Sequence, residues 1–361
     1  MPLNCFPHDD WDFAATVDPT LRIRPHLKTA LARRQLPALG YSRERLFSSM
    51  ANGLPVIFND FQVPLRRKSL RDNKAGLAEA CARLLPKHEK VRVRAGPSRE
   101  SAYLSTGELI KRWNGQRAVL NVTDLCVRQT PLTKLLDTTP LSAFSLLPRS
   151  RRADVQSLEL LTLVISSAEG FSDSHTDDLD GSNHCFVGRK LWLVWDELSG
   201  LACGLEDVER CEVYDRAAFD IDKFLSLPSA RWFVVSDGQT LFLPANYAHK
   251  VVTLEPYLGV GSFFVMLPDY LRNLSYWQRL PPTWSINTSR YQRKCHVETV
   301  TRSVTNRVRS LMNESAAVRQ LWGLNHLRRA VSDWNASDRP NMLGDDNAAS
   351  EFLAAVRAAS A

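Results

Sequence analysis

The sequence predicts an α+β fold with a mainly β core, an antiparallel barrel or jelly roll of short strands. Between residues 158 and 266, short apolar runs alternate with Gly, Asp and Pro, a pattern typical of antiparallel strands joined by turns. On both sides of this stretch, apolar residues recur at helical spacing. We therefore expect an N-terminal helical and strand region packing on the barrel (1–150), the β core (151–268) and a C-terminal helical region (269–361).

The N-terminal region begins with clear start and stop signals. Ser42 can cap a helix that runs to about Asn52, where Gly53 fits a C-terminal stop. Ser105 and Glu108 form a capping-box pattern ahead of a short helix. The other elements predicted here are strands at 55–58, 91–94 and 118–120 and helices at 74–85 and 131–137.

Seven short apolar runs predict the strands of the core, and three stretches beyond them predict helices. The predicted strands cover 160–165, 185–187, 191–195, 231–235, 240–243, 250–254 and 259–266. The predicted helices cover 293–312, 316–334 and 351–358.

The composition is that of an ordinary soluble globular protein, with 44% hydrophobic and 24% charged residues. No apolar run approaches the length of a membrane span, and the first residues lack a signal-peptide pattern. The seven cysteines are scattered without a CxxC pair, which favours reduced thiols. We expect an intracellular protein, cytoplasmic or nuclear. The net charge of +7 permits a nucleic-acid partner without requiring one.

The triplet His175-Thr176-Asp177 is the first candidate for chemistry. Residues i and i+2 of a strand point to the same face, so His175 and Asp177 are expected to converge from one strand edge. Two imidazoles and one carboxylate can hold one face of an Fe(II) ion and leave the opposite positions open. Taken alone, the triplet favours an exposed histidine in a turn.

His249 supplies the second imidazole. An Asp237-Gly238 turn feeds an apolar strand, Pro244 ends that strand, and His249 opens the next one. The mouth of a barrel presents a ligand in this way. The competing interpretation is a core histidine hydrogen-bonded to the backbone.

Lys190 lies thirteen residues past Asp177 and opens an apolar strand. An ammonium at the start of a buried strand needs a partner, which a bound dicarboxylate would supply. Ser172, three residues before His175, could donate a hydroxyl hydrogen bond to the same carboxylate. The alternative for Lys190 is a strand-end lysine whose charged head reaches solvent.

Together these motifs resemble the Jumonji-C (JmjC), cupin-like branch of the Fe(II)- and 2-oxoglutarate-dependent oxygenases, over about 158–264. The resemblance implies a double-stranded β-helix in which His175, Asp177 and His249 hold Fe(II). It also implies that Lys190 binds the distal carboxylate of 2-oxoglutarate with help from Ser172. Ser262 falls near the place where many relatives carry a polar group beside the cosubstrate. The family's usual Gly-Asp order before the last histidine is reversed here in Asp237-Gly238.

The expected activity is O2-dependent hydroxylation of a C–H bond of a protein side chain or a small molecule, with release of succinate and CO2. The short gap between Asp177 and Lys190 looks more like the hydroxylase branch than the histone demethylases. The alternatives are an N-methyl-lysine or arginine demethylase, an RNA-directed hydroxylase that uses the arginine-rich C-terminal helices, and a non-enzymatic scaffold with a vestigial metal site.

Several other residues near the candidate site are assigned to packing or to the solvent. Cys185, Trp192 and Trp195 are interpreted as core, whereas Asp173 and Asp178 are solvated or orient the imidazoles. The apolar face of the C-terminal helices either forms a homodimer or packs against the chain's own barrel. Its residues are Val304, Val308, Leu311, Val318, Leu321, Trp322, Leu324 and Leu327.

Overall fold

The structure, a computed structural model, describes residues 30, 32–66, 70, 73–84, 90–95, 101–114, 120–126, 131–137, 139–147, 161–168, 170–177, 179–205, 221–245, 247–279, 290–335 and 347–359. The chain folds into one mixed β-sheet with several helices. The predicted α+β class with a mainly β core is therefore confirmed.

The described strands belong to a single hydrogen-bonded sheet. They are β1 (Ala38–Leu39), β2 (Val56–Phe58), β3 (Lys90–Ala95), β4 (Ser101–Ser105), β5 (Leu120–Cys126), β6 (Leu161–Ser166), β7 (Phe171–His175), β8 (Asp180–Asp196), β9 (Arg231–Val235), β10 (Thr240–Leu243) and β11 (Tyr247–Phe264).

The described helices flank this sheet. They are α1 (Arg43–Ala51), α2 (Lys74–Leu84), α3 (Thr106–Asn114), α4 (Thr139–Ser142), α5 (Glu197–Ala202), α6 (Ile221–Ser226), α7 (Tyr270–Arg279), α8 (Arg290–Met312), α9 (Ala316–Leu321), α10 (Leu324–Asn335) and α11 (Asn347–Ala358), with a 3-10 turn at Pro131–Lys134.

Two long strands, β8 and β11, pair antiparallel along their whole lengths and bend in the middle, where the register shifts. The N-terminal half of β8 and the C-terminal half of β11 belong to a first ladder, in the order β6-β11-β8-β10. The C-terminal half of β8 and the N-terminal half of β11 belong to a second ladder, in the order β7-β11-β8-β9. Strands β5, β3 and β4 extend the first ladder beyond β6, and β2 and β1 extend it beyond β10. Because both ladders share β8 and β11, the register shifts mark where the chain passes from one ladder to the other.

One buried apolar cluster draws side chains from both ladders. Val164 and Tyr257 come from the first ladder, and Trp192, Phe233 and Val251 from the second. The alternate residues of the second ladder pack outward, in a separate cluster with α6. Both faces of that ladder are therefore covered.

Local sequence signals correctly place α1 and α3, whereas the helix predicted at 131–137 is only a 3-10 turn at Pro131–Lys134. The Ser42 side chain accepts a hydrogen bond from the Arg45 amide, and Gly53 follows α1 with a φ of +64°. Ser105 and Glu108 satisfy each other's backbone N–H groups, as a capping box requires.

Other boundaries differ from the prediction. The two strands predicted at 185–187 and 191–195 are parts of one strand, β8, and those predicted at 250–254 and 259–266 largely belong to β11. The helix predicted at 316–334 is wrong as a single element, since Gly323, with a φ of +73°, separates α9 from α10. The strand predicted at 118–120 is found at 120–126, and residues 118 and 119 lie outside the described part.

Seven of the eight apolar residues predicted to form the face of the C-terminal helices pack within the chain, whereas Leu321 is exposed. Val304, Val308, Leu311, Leu324 and Leu327 are fully buried there, in a cluster that also contains segments before and after β11. These five side chains cannot form a dimer surface while the chain is folded. Homodimerisation through other residues stays a prediction.

Among the described residues, no helix is both long and apolar enough to cross a membrane.

We predict that Gly188→Ala destabilises the fold more than Gly238→Ala does. Both glycines have a left-handed φ, +92° and +78°, but a Cβ at residue 188 would lie 2.1 Å from the Pro256 carbonyl oxygen, whereas one at residue 238 meets nothing within 4 Å. Backbone strain and overpacking together should cost about 2–5 kcal/mol at Gly188, against about 1–2 kcal/mol at Gly238. Urea unfolding of both variants measures the difference. Equal losses would contradict a tightly packed bend between the two ladders.

Candidate metal centre

His175 and His249 are brought together by strand pairing. His175 ends β7, His249 is the third residue of β11, and the two lie directly opposite each other in the antiparallel ladder. Their ring centroids are 4.1 Å apart. The potential ligand atoms of His175, Asp177 and His249 all lie within 4.8 Å of one another. The three residues predicted from the sequence as metal ligands therefore form one group.

Asp177 lies outside the strand, contrary to the expectation that His175 and Asp177 share one face of it. It lies two residues past the end of β7, in the connection to β8, so strand alternation does not orient its side chain. Its Oδ2 is 3.8 Å from His249 Nε2. The position of this carboxylate therefore depends on the contacts that hold the segment between β7 and β8.

The surroundings of the His249 imidazole suit a metal ligand. The residue is 3% exposed, and its Nδ1 lies 3.2 Å from the Tyr247 carbonyl oxygen, which favours a proton on Nδ1 and a lone pair on Nε2. Burial, followed by the neighbouring His175, holds the pKa of His249 well below its ordinary value. The ring is therefore neutral at physiological pH, the form that binds metals.

The group fits a small divalent cation that is coordinated on one face. Cis ligands about 2.1 Å from a metal are about 3 Å apart, so the atoms of Asp177 and His249 need to approach each other by under about 1 Å. His175 is exposed and Asp177 is partly exposed, whereas His249 is buried, so a metal would reach the group from the side of His175 and Asp177. Two imidazoles and a carboxylate suit Fe(II) and similar transition metals.

Lys190 lies deeper on the same face of the second ladder. It pairs with Thr253 of β11 and is 3% exposed. Its ammonium lies 4.7 Å from the ring centroid of Tyr257, and no carboxylate of the described residues forms an ion pair with it. Burial lowers the pKa of Lys190 to about 7. The solvent-reaching alternative for this lysine does not match such burial.

Two polar groups near Lys190 are buried without a hydrogen-bond partner. They are Thr253 Oγ1, opposite Lys190, and Trp192 Nε1, whose ring lies 5.4 Å from that of His249. The register places Lys190, Trp192, His249 and Thr253 on one face. Unsatisfied buried groups of this kind call for a ligand or water. An anion is the ligand that suits an ammonium beside two potential donors.

Ser172 is buried on β7, where its hydroxyl accepts a hydrogen bond of 2.9 Å from Asn121 Nδ2. The other end of the Asn121 amide accepts from Ser166. Ser172 lies opposite Val251, between the rows of His249 and Thr253. It thus faces the same interior as Lys190.

Ser262 lies in the first ladder, away from the row of the triad. Its hydroxyl is 2.8 Å from that of Ser182 and 3.5 Å from the Leu141 carbonyl oxygen. None of its hydrogen bonds involves the triad or Lys190. The cosubstrate role implied for Ser262 therefore has no contact to support it.

The residues assigned to the core are found there. Cys185, Trp192 and Trp195 are buried, although Trp192 also touches the candidate site. The side chain of Asp173 and residue 178 lie outside the described part. Sequence reasoning missed Thr253 and Asn121. The even spacing of Thr253 from His249 along one strand was the signal that could have found it.

No protein-family model matches this chain, and no curated protein shows significant similarity to it. The interpretation of the site depends on its own residues and geometry.

We predict that His249→Ala, His175→Ala and Asp177→Ala each weaken the binding of Mn(II) or Co(II) by more than about 100-fold, since each removes one of three protein ligands. Anaerobic isothermal titration measures the affinity. His326→Ala is the matched control, because His326 is a mostly buried histidine that faces Glu44 on α1 instead. Tight binding that survives His249→Ala would show that the metal sits elsewhere.

Proposed function

We propose that this protein is an Fe(II)- and 2-oxoglutarate-dependent, JmjC-type oxygenase that hydroxylates a C–H bond of a protein side chain or a small molecule. The observation that carries the proposal is the convergence of His175, Asp177 and His249 on the face that also buries Lys190. A dicarboxylate fits this arrangement, because one of its ends can bind the metal while the other reaches the buried Lys190 ammonium.

The strand order supports a double-stranded β-helix as the core. In that fold, two four-stranded antiparallel sheets face each other, and the chain crosses from one sheet to the other several times. Here the ladders β6-β11-β8-β10 and β7-β11-β8-β9 share one buried cluster, and the chain passes from one ladder to the other at the bends of β8 and β11. The triad then lies at one end of the second ladder.

Each residue has a distinct role in the proposed reaction. His175, Asp177 and His249 would hold Fe(II), and Lys190 would bind the distal carboxylate of 2-oxoglutarate beside the Thr253 hydroxyl. When bound, Fe(II) and 2-oxoglutarate supply the O2-dependent oxidation of a C–H bond, with succinate and CO2 as coproducts. Trp192 and Val251 belong to the buried apolar cluster on this face and would limit the access of water to the bound cosubstrate.

The proton on Lys190 links cosubstrate binding to pH. With a pKa of about 7 in the free protein, the side chain exchanges its proton near neutrality. An incoming carboxylate favours the charged form and raises the pKa, so that binding fixes the proton on Nζ.

Hydroxylation is preferred to demethylation because the separation of thirteen residues between Asp177 and Lys190 looks like the hydroxylase branch. The RNA-directed alternative gains no support from the arginines of the C-terminal helices, several of which have partners within the chain. Arg307 stacks over Trp322 at 3.7 Å, and Arg309 lies 3.6 Å from Glu351. A cytoplasmic or nuclear location stays a prediction.

We expect a weak visible charge-transfer band when 2-oxoglutarate is added to the anaerobic protein with Fe(II). Lys190→Met should abolish the band at ligand concentrations that saturate the wild type, because the distal carboxylate loses its cation. Lys111→Met is the matched control, since Lys111 is exposed on α3. Wild-type protein that binds Fe(II) but gives no band with 2-oxoglutarate would favour the scaffold alternative.

The affinity for 2-oxoglutarate should fall as the pH rises above about 7. The carboxylates of the ligand stay ionised in this range, whereas free Lys190 loses its charge, so affinity should drop by up to about tenfold per pH unit. Titrations of metal-saturated protein at pH 6.5, 7.5 and 8.5 measure the effect. Lys190→Met should bind weakly with little dependence on pH. A wild-type affinity that is constant or rises over this range would contradict a carboxylate–Lys190 contact.

A further inference from the structure

Glu197 is a buried carboxylate beside the metal centre, and both of its oxygens have hydrogen-bond partners. It is the first residue of α5 and follows directly on β8. The Thr176 hydroxyl donates to its Oε1 at 2.7 Å, and the Tyr276 hydroxyl donates to its Oε2. Glu197 thus joins the middle residue of the His-Thr-Asp triplet to helix α7.

The hydrogen bond between Thr176 and Glu197 holds the chain just beyond the point where the pairing of β7 ends. The β7 ladder ends at His175, so backbone pairing fixes that residue but not Asp177. Thr176 lies between the two, and its hydroxyl is held by a buried acceptor. Fixing Thr176 limits the backbone directions available to Asp177.

The segment between β7 and β8 is also held by α7 at its other end. Asp180, the first residue of β8, is fully buried and accepts from Asn273 Nδ2 at 2.6 Å and from Arg272 Nη2 at 3.2 Å. Asn273, Arg272 and Tyr276 all belong to α7. The segment that carries Asp177 is therefore anchored to α7 on both sides.

We propose that Glu197 and Tyr276 are positioning residues for the metal centre, which act through Thr176 to hold the Asp177 carboxylate toward His249. The inference rests on the metal-binding part of the proposed function and is independent of the cosubstrate and of oxidation. Partners that orient ligands in this way change metal affinity by about 10–100-fold when they are removed.

Metal titration of Tyr276→Phe against Tyr270→Phe tests this proposal. Both tyrosines lie on α7, both are buried, and each substitution removes a phenolic hydroxyl that has a hydrogen-bond partner, Glu197 for Tyr276 and Thr301 for Tyr270. We expect Tyr276→Phe to weaken Co(II) binding by about tenfold and to change the visible Co(II) spectrum. Tyr270→Phe should bind within about twofold of the wild type, with an unchanged spectrum.

Thr176 provides a second test at a partly buried position. Thr176→Val removes the hydroxyl and should match the loss in Tyr276→Phe, whereas Thr176→Ser keeps the hydroxyl and should retain the wild-type affinity. The double variant Thr176→Val/Tyr276→Phe should lose little more than either single variant, since both act through Glu197.

Two outcomes would overturn the positioning role: wild-type Co(II) affinity in both Tyr276→Phe and Thr176→Val, or an equal loss in Tyr270→Phe, which would indicate general destabilisation. Wild-type protein that binds no metal at all would instead overturn the proposed function itself.

Discussion

The register of β11 against β7 is the constraint on which the site depends. It sets His249 opposite His175, although the two residues lie far apart in the sequence. A slip of one residue would turn His249 to the other face of the sheet, and a slip of two would move it by about 7 Å. The buried side chain of Asp180 helps to fix this register, since it accepts from the Ala245 amide just before β11 and from α7.

Burial increases steadily from the mouth of the site to its interior. His175 is exposed, Asp177 is partly exposed, and His249 and Lys190 are buried. The deep groups are thus held by packing, whereas the position of Asp177 depends on the segment that joins β7 to β8. The hydrogen bond from Thr176 to Glu197 holds that segment.

Local sequence patterns predicted much of this arrangement, because caps, turns and alternation are properties of neighbouring residues. The Ser42 cap and the Ser105–Glu108 box needed only a few residues to be recognised. Gly188 was misleading, since it resembles a break between strands but forms a bend within β8. The apolar face of the C-terminal helices was visible in the sequence, but periodicity does not tell what such a face packs against. The contacts of Glu197 cross 21 and 79 residues, which no local pattern encodes.

The polar groups buried beside the metal ligands are the observation that favours a binding protein over a scaffold. A buried lysine, together with a hydroxyl and an indole N–H that lack hydrogen-bond partners, costs stability, and apolar residues of similar size would pack there at lower cost. A bound anion would offset that cost by accepting hydrogen bonds from Lys190, Thr253 and Trp192. Because these groups share one face with the metal ligands, an anion that reaches both Lys190 and the metal must carry two acceptor ends. A dicarboxylate meets that requirement.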